Sequence, residues 1–441
     1  MERKLSKQEF ISVSLLLFAM LFGSGNLIFP PMLGNQAGTS TIIALIGFAV
    51  TAVLFPVLGI LAVSKTNGVQ NLGNRVGPLF AVIYPAIIFL AIGPGIAIPR
   101  NGSLAFEMSV APYLTDSSWI LPARIIYTVL FFGISYYLCL QPGKLVDRIG
   151  KVLTPILIAL VLTFFVGGVL NISPDVATPA EAYETAFTRG IIEGYNTMDA
   201  LAALNFGLVI TMTIKAYNIT NEKDIIKYTS GSGLVAGSLL LIVYAMLAYI
   251  GMISSSGNQE VLNGGRILFQ VTNSVFGSLG ALILILIFTL ACMTTVVGLV
   301  TSVSEYFAEL TNNKVTYKQW IFIYTLISLV LANFGLNRIL QFSLPVLVAI
   351  YPPAIMLIIM ALLQDVFQFD RLTYQMTIYL TLVISIISGL RSAGMEVPFL
   401  SDLTAQLPFF NEGLEWILPA ILVLIIFTMF SKIRSNEKQA F

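Results

Sequence analysis

The sequence predicts an all-α integral membrane protein of about twelve transmembrane helices, with the first and sixth interrupted near mid-depth. Three observations carry this. The 441 residues are 57% hydrophobic and only 10% charged, with a mean hydropathy of +0.89, a balance incompatible with a soluble globular domain. Apolar segments of roughly 17 to 30 residues, long enough to cross a bilayer as helices, recur along the chain. Two of these segments hold polar or helix-breaking residues where a lipid-facing helix would not.

Composition narrows the function as well. The net charge of +1 excludes a nucleic-acid binder of the usual basic kind. There is no histidine, so imidazole metal sites and histidine proton relays are absent. Cys139 and Cys292 fall within spans and read as packed small side chains. Residues Met1 to Glu9 are charged and lack a small-residue cleavage site, so the first span reads as a retained helix. No obligate protein partner is evident; the bilayer and a small molecule are the partners expected.

The spans run near 9–35, 40–63, 78–99, 119–139, 150–170, 191–214, 229–252, 276–306, 317–335, 340–363, 374–391 and 414–430. An even number puts both ends on one side. With the termini inside, Arg3, Lys4, Lys7, Lys65, Arg75, Lys144, Arg148, Lys151, Lys215, Lys223, Lys227, Lys314, Lys318, Arg371, Lys432, Arg434 and Lys438 all fall on the inner face. Only Arg100, Arg124, Arg189, Arg266, Arg338 and Arg391 fall outside, so the positive-inside rule favours cytoplasmic termini. The longest connections, 171–190, 253–275 and 392–413, are then external. Asp175, Glu181, Glu184 and Glu193 gather in or near the first, either to draw cations to an entrance or as a solvated loop.

Span 1 carries Phe22-Gly23-Ser24-Gly25-Asn26-Leu27-Ile28-Phe29-Pro30-Pro31 at its centre. Glycines and prolines weaken or remove i to i−4 bonds, so the helix breaks here. Pro30 and Pro31 fit the first turn of a second half-helix, which predicts a gap from Phe22 to Leu27. Unwound backbone at this depth is tolerated only against protein or a cavity, where it offers carbonyls and amides to a ligand.

Span 3 continues through Gly93-Pro94-Gly95 and Pro99 to Arg100 and Glu107. Distortion is expected at both proline sites. Arg100 and Glu107, seven apart, share a helical face and form either an ion pair fixing the outer vestibule or part of a gate. Span 6 reads Tyr195-Asn196-Thr197-Met198-Asp199-Ala200-Leu201 and onward to Asn205-Phe206-Gly207. Asp199 must face a cavity, a cation or a basic group, or else pair with Arg189 near the headgroups. In span 8, Thr294 and Thr295 either bond back to their own helix or, with nearby carbonyls, make an all-oxygen site suited to Na⁺ over a divalent ion. Tyr351-Pro352-Pro353 in span 10 is a kink that needs only packing.

Interruptions in spans 1 and 6 suggest two five-helix halves of opposite orientation within a single transmembrane domain, 1–441. The first repeat covers 5–175, the second 185–365, and two additional helices 366–431. Half-helix N-termini at the midplane then favour a carboxylate, and free carbonyls a cation or ammonium.

The motifs of spans 1, 3 and 6, with Leu290-Ala291-Cys292-Met293-Thr294-Thr295 and Glu305-Tyr306-Phe307, resemble those of the branched-chain amino acid:cation symporter family, the BrnQ-like carriers. The resemblance covers about residues 5 to 431. It implies a bacterial inner-membrane importer of leucine, isoleucine and valine driven by Na⁺ or H⁺, with the five-plus-five inverted repeat of the leucine transporter and the amino acid–polyamine carriers. It further implies a Na⁺ site from the carbonyls of Ala19, Phe22 and Ala291 and the hydroxyls of Thr294 and Thr295. The amides of Ser24 and Gly25 would hold the substrate carboxylate, and carbonyls from Met198 through Asp199 and Ala200 to Leu201 the ammonium. Asn26 matches an asparagine that serves a second sodium in some symporters, but Leu201 stands where the matching hydroxyl is expected. That leaves Asn26 as a brace for the gap.

A pocket lined by Phe22, Ala203, Phe206 and Leu299 would reward a branched apolar side chain while separating Leu, Ile and Val poorly. Na⁺ coupling accounts for the two threonines; a proton carried by Asp199 or Glu107 is the alternative. A channel is disfavoured because no repeated filter sequence appears. An enzyme is not expected, since no Ser or Cys nucleophile stands with a base, and no Walker-type phosphate loop is present.

Overall fold

The first helix starts at a capping box: Ser6 Oγ accepts from Glu9 N (3.2 Å) while Ser6 N donates to the Glu9 carboxylate (2.8 Å). In the computed structural model, which describes residues 3–114, 116–255, 263–395 and 398–439, α1 then runs Lys7–Leu21 and α2 resumes at Ser24–Ala37. The break in span 1 is therefore Phe22 and Gly23 alone, shorter than the predicted Phe22 to Leu27 gap. Pro30 and Pro31 lie inside α2, beyond its first turn. The reason is side-chain capping: Asn26 and Asn101 satisfy the first amides of α2, so the helix restarts without prolines to begin it.

The chain continues as α3 (Thr41–Ala49), which passes through a π turn (Val50–Leu54) into α4 (Phe55–Thr66), and then α5 (Val69–Asn74). Helix α6 (Pro78–Leu90) and α7 (Ala97–Ser109) together form span 3. The π turn between them, Ala91–Gly95, has Gly93 at φ −85°, ψ −122°, the distortion expected at Gly-Pro-Gly. Helices α8 (Ile120–Cys139) and α9 (Thr154–Asn171) follow. Span 6 is split into α10 (Ala186–Tyr195) and α11 (Asp199–Ala216), with Met198 in the left-handed region at φ 68°. Then come α12 (Glu222–Ile253), α13 (Gly264–Phe276), α14 (Ser278–Leu310), α15 (Tyr317–Ala332), α16 (Leu336–Phe367), α17 (Arg371–Ser392), α18 (Pro398–Ala405) and α19 (Ile417–Gln439).

Among the described residues, nine helical stretches are long and apolar enough to cross a membrane, beside two shorter apolar helices, Tyr317–Ala332 and Ile417–Ile433. The stretch Ser24–Thr66 holds the second half of span 1 and all of span 2, joined by a 3₁₀ turn at Gly38–Ser40. Two of the longest connections contain helices, α13 and α18, that were not expected there. Residues 256–262 and 396–397 of those connections lie outside the described set. Glu193 is not part of a solvated acidic loop: it is buried and paired with Arg189 at 2.5 Å.

The two broken spans are each clasped by one helix from the other half of the chain. Both parts of span 1 pack on α12, while α10 packs on α3 and α11 on α4. Small residues bring the backbones together. A Cβ added at Gly34 would overlap the Ala248 backbone, and one at Gly251 the Pro31 backbone; Gly47 and Gly190 stand in the same relation to Phe187 and Ala44. Large apolar side chains such as Ile42, Leu79, Leu170 and Phe342 remain on the outer surface, as expected where the solvent is hydrocarbon. The free thiols of Cys139 and Cys292 are both buried.

Candidate functional site

The break in span 1 begins with a diverted amide. In a continuous helix Gly23 N would bond Ala19 O; here it donates to Asn26 Oδ1 at 2.8 Å. The next amide, Ser24 N, donates to Asn101 Oδ1 at 2.9 Å. Ala19 O, freed in this way, accepts from Thr294 Oγ1 at 3.0 Å and Thr295 Oγ1 at 3.3 Å across the α1–α14 contact. Thr294 also bonds back to Ala291 O at 3.0 Å. The Thr294 hydroxyl thus serves its own helix and span 1 together. Ala19, Ala291, Thr294 and Thr295 supply four neutral oxygens linked by these three contacts, a hard donor set of low charge of the kind that fits Na⁺. Phe22, the fifth expected ligand, closes α1.

The span 6 break exposes different carbonyls from those expected. Met198 O accepts from Ala202 N at 2.9 Å, and Asp199, Ala200 and Leu201 already lie in α11. The carbonyls outside helical bonding are those of Asn196 and Thr197. A guanidinium takes both: Arg100 Nη1 donates to Asn196 O (2.7 Å), Nη2 approaches Thr197 O (3.5 Å), and Nε donates to Ser24 Oγ (3.0 Å). The predicted Arg100–Glu107 pair does not form. The two stand about two turns apart on α7: Arg100 reaches the gaps, whereas Glu107 accepts from Leu336 N (2.9 Å) and lies 4.0 Å from Arg124.

Asp199 does not pair with Arg189. Arg189 is engaged by Glu193, and Asp199 Oδ2 accepts from Asn26 Nδ2 (2.7 Å) and Tyr244 OH (2.6 Å). Asn26 and Tyr244 also contact each other directly. Asn26 is thus the brace anticipated for the gap, joining α2 to α11 and α12. Ser24, Asn26, Arg100, Asn101 and Asp199 are each no more than 2% exposed.

Phe22, Phe206 and Leu299 are buried, Phe22 stacking on Phe18 at 5.3 Å. Leu299 lies one turn beyond Thr295 on α14, and Asn205 bonds Ser302 at 2.7 Å to hold α11 against that helix. Ala203 faces span 2: its Cβ is 3.6 Å from where a Cβ would stand on Gly59.

Three site residues were not anticipated. Asn101 follows Arg100 directly, a signal available in the sequence. Tyr244 is a polar tip in an apolar span, visible only as such. Tyr351 does more than pack beside its prolines: its hydroxyl accepts from Ala200 N at 3.2 Å, and its ring stacks on Tyr195 at 4.4 Å. Each joins the breaks through residues distant in the chain.

A family model described as branched-chain amino acid transport protein matches residues 6–434. The chain belongs to this family. The transporter is 38% identical over 432 residues to the branched-chain amino acid permease BraB of Bacillus subtilis, covering 97% of this chain and 96% of that protein. It is 34% identical over 440 residues to the branched-chain amino acid transport system 2 carrier protein of Pseudomonas aeruginosa, covering 98% of each. Among solved structures it resembles Mhp1, a nucleobase-cation-symport-1 family transporter captured closed with bromovinylhydantoin, at TM-score 0.59 and 13% identity, covering 97% and 93% of the two chains. It also resembles MhsT in complex with L-phenylalanine, at TM-score 0.54 and 14% identity, covering 97% and 99%. These neighbours establish a leucine-transporter type fold. The chain is a multi-pass branched-chain amino acid transporter and not an enzyme.

Proposed function

We propose that this transporter imports leucine, isoleucine and valine together with Na⁺ by alternating access, with both termini in the cytoplasm of a bacterial inner membrane. The observation that carries the ion assignment is the convergence of Thr294 and Thr295 on Ala19 O, across the first helix break. A cation there would bridge α1 to α14, so its binding energy depends on the relative position of the two helices, which is what coupling requires. Although Asn101 already takes the Ser24 amide, the α2 N-terminus at Gly25 offers positive dipole to a carboxylate, and Phe22, Phe206 and Leu299 supply apolar surface for the side chain. Relatives named as branched-chain amino acid permeases support the substrate class. The repeats 5–175 and 185–365, followed by 366–431, are the proposed moving and supporting parts.

Proton coupling is the second reading, favoured by one feature: Asp199 is a buried carboxylate held by Asn26 and Tyr244 with no ion pair within 4.0 Å among the described residues. Uptake of radiolabelled Leu, Ile, Val, Ala and Ser into proteoliposomes, under an inward Na⁺ gradient or a pH gradient alone, decides between them. Na⁺-driven accumulation of the branched substrates is expected; accumulation with a pH gradient in Na⁺-free buffer would reassign the ion to H⁺.

A further inference from the structure

Arg100 is where the site departs from a purely main-chain design. A guanidinium carries five N–H donors and no acceptor. Its three bonds here engage Ser24 Oγ and the carbonyls of Asn196 and Thr197. A second N–H on each Nη has no hydrogen bond to the protein among the described residues. The group is 2% exposed and has no ion pair within 4.0 Å among the described residues. It also lies against the N-terminus of α2: a Cβ added at Gly25 would stand 2.7 Å from Nη2 and 3.2 Å from Asn196 O. The free carbonyls of the span 6 break thus already hold a resident cation, while its spare donors adjoin the positive end of a helix of 14 residues.

We infer that Arg100 is a specificity-determining residue. It takes the carbonyls that would otherwise grip a ligand's ammonium and presents a fixed positive charge to the ligand's carboxylate. Recognition then depends more on the carboxylate than on the ammonium. This rests on the proposal that the two helix breaks form the substrate site. A second contribution has the same sign: the Asp199 carboxylate already accepts two donors on Oδ2, which weakens its claim on an ammonium.

The test is competition against radiolabelled leucine bound to the purified full-length protein in Na⁺ buffer. The competitors are leucinamide, which keeps the ammonium and loses the carboxylate, and 4-methylpentanoate, which does the reverse. Leucinamide is expected to bind about 10- to 100-fold more weakly than leucine, as for loss of hydrogen bonds to a buried charge, and 4-methylpentanoate less than about tenfold more weakly. In Arg100→Gln, leucine should weaken by a similar factor while leucinamide gains on it, because the Asn196 and Thr197 carbonyls become free. A purely structural role for Arg100 would leave that ranking unmoved. Since Arg100→Gln can fail to fold, the wild-type ranking stands as an independent test: leucinamide matching leucine, or 4-methylpentanoate failing to compete, overturns the inference alone. No leucine binding at all overturns the substrate proposal, and this inference with it.

Discussion

Asn26 Nδ2 lies 2.7 Å from Asp199 Oδ2, a bond between side chains 173 residues apart that ties the first turn of α2 to the first residue of α11. Because the same amide accepts from Gly23 N through Oδ1, one side chain sets both the end of α1 and the spacing between the two broken spans.

That relationship is open to a double-mutant cycle. Asn26→Ala and Asp199→Asn should each lower thermal stability in detergent. Their effects should be non-additive by roughly 0.5 to 3 kcal/mol, as for residues in one buried network. Additive effects would mean that the bond contributes nothing. Tyr244→Phe, which removes a second donor to Asp199, should cost about 1 kcal/mol.

Thr294→Val keeps the shape of the side chain and removes the hydroxyl that reaches both Ala19 and Ala291. If the oxygens around Ala19 hold the driving ion, the Na⁺ concentration for half-maximal uptake should rise about tenfold or more, a loss of about 1.4 kcal/mol. Leucine affinity at saturating Na⁺ should change far less. Titration of uptake against Na⁺ at fixed leucine measures both, and an unchanged Na⁺ response would exclude the site.

Tyr351→Phe leaves the amide of Ala200, in the first turn of α11, without its acceptor. An orphaned buried N–H costs about 1 to 3 kcal/mol. We expect a lower melting temperature together with slower uptake, because the lost bond lies beside the span 6 break. A variant that melts like the wild type would show that the hydroxyl is dispensable.

Gly34→Ala and Gly133→Ala make a matched pair. At Gly34 the new methyl would overlap the Ala248 backbone, whereas nothing lies within 4 Å at Gly133. The first should shift the α2–α12 contact and reduce the monodisperse fraction in size-exclusion chromatography. The second should be neutral or slightly stabilising, through the ~1 kcal/mol advantage of alanine in a helix. Equal behaviour of the two would remove the close-packing explanation.

Much of this was legible in the sequence because it is local. Spans follow from runs of apolar residues, and interruptions from Gly23, Gly25 and the Tyr195–Asp199 stretch, where backbone bonding fails within a few positions of the cause. The Thr294–Thr295 pair was legible for the same reason, as adjacent hydroxyls in an apolar helix.

Tertiary structure alone decided how wide the first break is and which groups fill the two. The expected gap to Leu27 shrank to Phe22 and Gly23 because Asn101, 77 residues away from Ser24, caps α2. The expected Arg100–Glu107 pair gave way because the two stand about two turns apart on α7 and each meets closer partners, Arg100 the carbonyls of another span and Glu107 the Leu336 amide. Amides and carbonyls released by a broken helix must find partners wherever folding brings them, and those partners are set by packing between helices rather than by neighbours along the chain.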